Sequence, residues 1–274
     1  MKKILNCLFL TVLFSSCVNH LDEELQPTST KVVNFNIGFD IENEPMSRAL
    51  SDYITGIEVF DYMSGEEKTH ISQTSAESGF GSVQLDAAFG THQLVFVGHN
   101  SGSCEYDGEK LSFDKVTDTF TYTTQLTVDN KTGSQDITLA RQVGKLTLFV
   151  NDAIPENADK MILTVKGYSN ELNPETGKGN NSFEYTKEWS IGGHVGAIKS
   201  NYNLYSFIPN DGYEVDVNIR AVDTNGEDLY NRDVSDVPLR KNQQTTIRGS
   251  LFTAGMTASI SVSFQWDETI TMPL

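Results

Sequence analysis

Histidine, cysteine and carboxylate side chains carry most protein chemistry, and in this chain they are thinly spread. The five histidines, His20, His70, His92, His99 and His194, form no His-Glu-x-x-His pair of the kind that sets two zinc ligands on one helix face. His92 and His99 stand seven apart, which on a strand directs them to opposite faces, so isolated structural or surface roles are expected. The adjacent acids Glu66-Glu67 and Asp267-Glu268 could do glycosidase chemistry only by converging on one bond, and they read instead as turn or solvent-face residues. No Gly-x-Ser-x-Gly elbow, Walker loop or Cys-x-x-Cys pair occurs. Two loops rich in oxygen ligands, Asp223 to Asp228 and Asp129 to Asp136, lack the full EF-hand spacing and its closing glutamate. Hairpin chemistry accounts for both. Trp189, Tyr202 and Tyr205 have the ring surface to stack on sugars, although core burial is the commoner use of such residues. Nothing converges on catalysis, so the chain reads as a non-enzyme with no cofactor and no metal site.

The cysteines are more informative. Met1-Lys2-Lys3 precedes an apolar run from Ile4 to Phe14, followed by Ser15-Ser16-Cys17. The run is far shorter than the ~20 residues that span a bilayer as a helix, and its basic start marks a secretory signal. Its end, Leu13-Phe14-Ser15-Ser16-Cys17, resembles the lipobox of bacterial lipoproteins, where cleavage precedes the cysteine and that residue is acylated. On this resemblance residues 1–16 are a signal peptide, Cys17 is the lipidation site, and residues 17–30 are a tether containing Pro27. Several acyl chains would make attachment effectively permanent. The competing reading is an ordinary secretory signal cut elsewhere. Asp22-Glu23-Glu24 looks like the signal that sends Bacteroidetes lipoproteins to the outer face of the outer membrane, and equally like a solvated charged linker. Cys7 leaves with the signal, so Cys104 has no disulfide partner and hydrophobic burial must hold the mature chain together. No basic residue near Cys104 obviously lowers its pKa, which favours a buried or incidental thiol.

The formal charge is -17, and loss of Lys2 and Lys3 with the signal takes it to -19. Clustered cations for a phosphate backbone are therefore missing, and nucleic acid is excluded as the natural partner. With 38% hydrophobic residues over 274 positions, the composition is globular and the length suits two domains.

Period-two alternation, the signature of half-buried strands, recurs almost throughout. Val33, Phe35, Ile37, Phe39 and Ile41 share one face, as do Phe120, Tyr122, Thr124, Leu126 and Val128. Tyr213, Val215, Val217, Ile219 and Ala221 form a third face, and Ile260, Val262, Phe264 and Trp266 a fourth. Shorter strands are expected at 57–62, 93–97, 146–150, 161–165, 183–189 and 245–252. Asn225-Gly226 suits a two-residue hairpin turn. No segment holds helical spacing for a dozen positions. These features predict an all-β chain of two β-sandwiches, 31–140 and 141–274, each with its own core.

Several segments carry a family resemblance. They are the lipobox, the strand from Lys31 to Ile41, Ile54-Thr55-Gly56-Ile57-Glu58-Val59-Phe60-Asp61, the eight residues Leu139 to Leu146, and Val237 to Gly249. Together they resemble the fimbrillin superfamily of Bacteroidetes, most closely its FimB/Mfa2-type fimbrial anchor subunits. The resemblance implies two tandem transthyretin-like (Greek-key) sandwiches. It also implies a surface lipoprotein of the outer membrane that anchors or forms a minor part of a type V pilus, with other pilus subunits and membrane lipid as partners. Such subunits assemble by strand donation, in which backbone hydrogen bonds give affinity and alternate side chains give register. The segment bearing Ile260, Val262, Phe264, Trp266, Ile270 and Met272 alternates well enough to be either a donor or the last strand of its own domain. Polymerising members of the family are cut at a basic residue after the first strand, and Arg48 stands where such a cut would separate the chain from its anchor. Two other readings stay open: a proteolytically matured shaft or tip subunit, and a cell-surface glycan-binding lipoprotein.

Overall fold

The computed structural model describes residues 29–39, 49–253 and 258–263. In chain order the strands are β1 (Thr30–Phe39), β2 (Gly56–Met63), β3 (Glu66–Thr74), β4 (Ser82–Ala88), β5 (Gly90–His99), β6 (Cys104–Tyr106), β7 (Leu111–Phe113), β8 (Phe120–Val128) and β9 (Gln135–Arg141). There follow β10 (Val143–Val150), β11 (Ala158–Tyr168), β12 (Glu171–Asn173), β13 (Lys178–Gly179), β14 (Phe183–Ser190), β15 (Ser200–Phe207), β16 (Glu214–Asp223), β17 (Asp228–Pro238), β18 (Gln244–Gly249) and β19 (Ala258–Ser263). The only helical elements among the described residues are two 3-10 turns, Leu50–Asp52 and Gly192–His194.

One strand arrangement occurs twice. In the first block the sheet order is β3-β2-β5-β8-β9-β1-β4, with β1 antiparallel to β4 and parallel to β9. In the second, β14-β11-β16-β17 repeats β3-β2-β5-β8, while β10 lies antiparallel to β15 and parallel to β18 as β1 does with β4 and β9. Apart from the short β6–β7 and β12–β13 insertions, the two blocks differ at one place. β8 and β9 pair through Phe120↔Arg141 and Thr121↔Ala140 and so close the first sheet. In the second block β18 pairs instead with the additional strand β19.

Alternation places the core as expected for much of the chain. Val33 and Phe35 of β1 pack with Val59, Leu85, Leu94, Phe96, Phe120 and Leu139 in a first core. Val215, Val217, Ile219 and Ala221 of β16 are all buried in a second. The second core is not confined to its own block, however. The β6–β7 hairpin pairs with β12 and lies over the outer face of β2 and β5, so Phe60, Tyr62, Val95 and Val97 join the same cluster as Leu148, Leu163 and Val217. β5 is therefore covered on both faces, and Leu94-Val95-Phe96-Val97 has no exposed surface. A strand buried on both sides reads as a continuous apolar run rather than as an alternating one.

Two local expectations are corrected. Tyr122 is 39% exposed although Phe120 and Val128 on the same strand reach the core. The β16–β17 turn uses three residues, not two. Gly226 N–H bonds the Asp223 carbonyl and Gly226 alone in the turn has positive φ, because the Asp223 carboxylate binds Asn225 N–H at 2.8 Å and sets an ordinary turn before the glycine. Ile41 lies outside the described residues.

The segment from Leu139 to Leu146 joins the blocks, with Gln142 alone between β9 and β10. Its residues 141–145 meet residues 240–243. Arg141 grips Asp118 through two hydrogen bonds, 2.7 and 2.9 Å, and also reaches Asn242. Asn242 N–H bonds the Val143 carbonyl and Lys145 N–H the Gln243 carbonyl. Gly144 sits so close that a Cβ there would lie 2.8 Å from the Arg240 carbonyl oxygen. Gly144→Ala should therefore cost about 1–3 kcal/mol through overpacking. A urea titration followed by tryptophan fluorescence would detect it, and an unchanged midpoint would show that this contact yields freely.

Candidate functional site

Sheet edges are the sites that a strand-exchange chemistry would use, since an edge presents unpaired N–H and C=O groups. Among the described residues, β3 and β4 border the first sheet, and β14 and β17 border one sheet of the second block. β3 carries Glu66, Glu67 and Lys68, and the β16–β17 pairing is broken by two register shifts. Charge and bulging are the usual devices that discourage further pairing. The other large sheet of that block is bordered by β15 and by β19, which pairs antiparallel to β18 from Gln244↔Ser263 to Gly249↔Ala258.

The turn that leads to β19 is held by one carboxylate. Asp152 accepts from Leu251 N–H (3.0 Å), Phe252 N–H (2.7 Å), Thr253 N–H (2.9 Å) and the Thr253 hydroxyl (3.0 Å). Burial pushes the Asp152 carboxyl up, but these donors outweigh it and hold the group below its ordinary value.

The other sequence candidates distribute as follows. Ile260 and Val262 lie in β19, whereas Phe264, Trp266, Ile270 and Met272, like Cys17, Arg48, His20 and Asp267-Glu268, are outside the described residues. β1, the strand that a cut at Arg48 would release, is held on both sides: Thr30 to Asn36 pair with β4 and Phe35 to Phe39 with β9. Trp189 and Tyr202 pack edge to face at 5.4 Å, with Tyr202 buried and Lys187 over the Trp189 ring. They do not form an exposed sugar-stacking platform. The Asp129 carboxylate binds Lys131 N–H and Thr132 N–H, and Asp223 binds Asn225 and Glu227 N–H, so both loops are organised as hairpin turns. Glu66 pairs with Lys68, and Glu67 accepts from the Tyr62 hydroxyl. Cys104 is free and buried, and burial pushes its thiol up, away from reactivity.

The histidines are less isolated than their spacing suggests. Glu58 on β2 receives His70 Nε2 at 2.7 Å and the Ser72 hydroxyl at 3.0 Å from β3, and His99 Nε2 of β5 stands 3.6 Å away. Burial pushes Glu58 up, yet these three contacts bring its carboxyl below the ordinary value. His92 is buried against Asp61. Each pair joins neighbouring strands, so the partners are distant in sequence and the register alone brings them together. No group of three or more His, Cys, Asp or Glu suited to holding a metal ion occurs among the described residues. No helix among them is long and apolar enough to cross a membrane.

A family model described as a family of unknown function, DUF6562, matches residues 89–273. No curated protein matches the sequence. Among solved structures, a candidate cell adhesion protein from Bacteroides ovatus aligns at TM-score 0.52 and 14% identity, over 88% of this chain and 100% of its own. A candidate adhesin from Bacteroides thetaiotaomicron aligns at TM-score 0.53 and 9% identity, over 88% and 98%. A more distant likeness extends to the fimbrial anchor protein Mfa2 from Porphyromonas gingivalis, at TM-score 0.47 and 11% identity, over 85% and 97%. At these identities the first two show a shared all-β fold.

The Asp152 contacts generate a prediction with a definite sign. Because its folded-state pKa is lowered from 3.8, the stability it contributes is complete above the unfolded value and is lost as pH falls through the folded one. Asp152→Ala should weaken the protein by about 1 kcal/mol at pH 7 and speed amide exchange at residues 251–253. The difference from the parent should shrink below about pH 4. A constant difference from pH 7 to pH 2.5 would contradict it.

Proposed function

The chain belongs to the family of unknown function DUF6562, and we propose that it is an outer-membrane surface lipoprotein, acylated at Cys17, that anchors or forms a minor subunit of a type V pilus. The observation that carries this reading is β19. It lies beyond the seven-strand arrangement common to both blocks and occupies the edge of β18, where the first block has its β8–β9 closure instead. That edge has the geometry of strand addition. Backbone bonding there supplies affinity, and alternation supplies register. The repeated topology supports two tandem transthyretin-like units divided near Gln142, and the fold shared with Bacteroides adhesion proteins agrees with a binding rather than a catalytic role. The FimB/Mfa2-type assignment rests on the sequence motifs.

A second reading has its own observation. β1 fills a slot between β4 and β9, antiparallel to one and parallel to the other. Cleavage after Arg48 followed by loss of β1 would open two facing strand edges for a donor from another subunit. The protein would then be a matured shaft or tip subunit, detached from its anchor.

Mass spectrometry of the protein recovered with assembled surface material separates the two. An acylated N-terminal Cys17 is expected. An N-terminus at Ala49 would overturn anchoring in favour of the matured subunit. Deletion of residues 258–274 tests the edge itself: the remaining chain should stay folded and lose copurifying pilus subunits, whereas undiminished recovery of those subunits would remove β19 from the interface.

A further inference from the structure

The end of the first block next to Thr30 contains a cavity of about 400 Å³, bordered by β1 to β5, within the size range of small-ligand sites. At its base are Asp61 and His92, 1% exposed each. His92 Nδ1 is 2.7 Å from Asp61 Oδ1, and His92 Nε2 is 2.8 Å from the Ala88 carbonyl oxygen. The Ala88 carbonyl oxygen can only accept, so His92 Nε2 donates to it, and one proton lies between His92 Nδ1 and Asp61 Oδ1. The second Asp61 oxygen receives no hydrogen bond from any described residue, and Asp61 lines the cavity. That oxygen is not sealed from solvent, so a donor entering the cavity can reach it.

We propose that this cavity binds a primary alkylammonium group, and the proposal is independent of the anchoring reading. The Asp61 oxygen would accept a charge-assisted hydrogen bond from the ammonium. Asp86, an exposed residue on the rim strand β4, supplies a second carboxylate, and Met63 and Ala88 supply apolar wall for the methylene stem. The single lysine on the wall, Lys68, is paired with Glu66 at 2.7 Å and so does not leave an uncompensated cation there. The acidic chain, at -17 overall, attracts cations and repels anionic ligands. Two sources could present such a group: a free aliphatic diamine, or a lysine side chain of another protein.

Titration calorimetry and ¹H–¹⁵N NMR on the purified protein with 1,5-diaminopentane, with Nα-acetyl-lysine methylamide, and with glucose and acetate as controls provide the test. Saturable binding of at least one amine is expected, with shifts confined to residues around Asp61 and Asp86. Tighter binding of the diamine would indicate the free source, and tighter binding of the lysine derivative would indicate a protein side chain. Asp61→Asn should weaken binding at least tenfold. Asp86→Asn, at an exposed position that leaves the core intact, should weaken it several-fold and keeps the test valid if Asp61→Asn folds poorly. Absence of saturable amine binding, equal binding in both variants and the parent, or saturable binding of a control in place of the amines would each overturn the proposal.

Discussion

The meeting of residues 141–145 with residues 240–243 is the constraint on which the rest of the molecule depends. One residue, Gln142, passes the chain from one block to the next, so the second block starts wherever the first releases it. Arg141 fixes that point by holding Asp118 with both arms of its guanidinium while reaching Asn242. Burial keeps the Asp118 carboxyl above its ordinary range even beside this cation. Such a pair gains little net stability from its charges, but breaking it by removing one partner leaves an uncompensated buried group. Its value is therefore positional. Gly144 lets β10 approach the Arg240 backbone within a distance no side chain would permit, and β10 then serves as the central strand between β15 and β18.

A second tie acts across the blocks. The β6–β7 hairpin leaves the first block, pairs with β12 of the second, and packs Phe113 against Phe207 at 5.2 Å. By covering the outer face of β2 and β5 it converts what could be a solvent-facing sheet surface into core. The edge at β18–β19 is thus presented by a body whose parts share apolar contacts, not by a module on a free linker. Relative motion between the blocks would have to expose the Phe60, Tyr62, Val95 and Val97 cluster to water.

Much of this was legible from residue order. Strands such as β1, β5, β10 and β16 announce themselves through alternation or through unbroken apolar runs, and two of the five stretches that carry the family resemblance, Leu139 to Leu146 and Val237 to Gly249, meet at the junction. β3 and β17 were harder to see, because edge strands such as Glu66–Thr74 and Asp228–Pro238 carry charge on positions that alternation alone would leave unassigned. β6, β7, β12 and β13 are too short to show a period. The Glu58–His70–His99 and Asp61–His92 groupings were invisible for a different reason: they depend on which strands become neighbours and in which register. A hydrophobic pattern specifies that only once the whole sheet is assembled.

The parallel pairings have a mechanical consequence. Tension entering at Thr30 and leaving through β19 follows β1 to its parallel neighbour β9, crosses Gln142 into β10, and passes to its parallel neighbour β18. Each parallel pair is then pulled from opposite ends. In that geometry the bonds between the strands are sheared together instead of being peeled one after another.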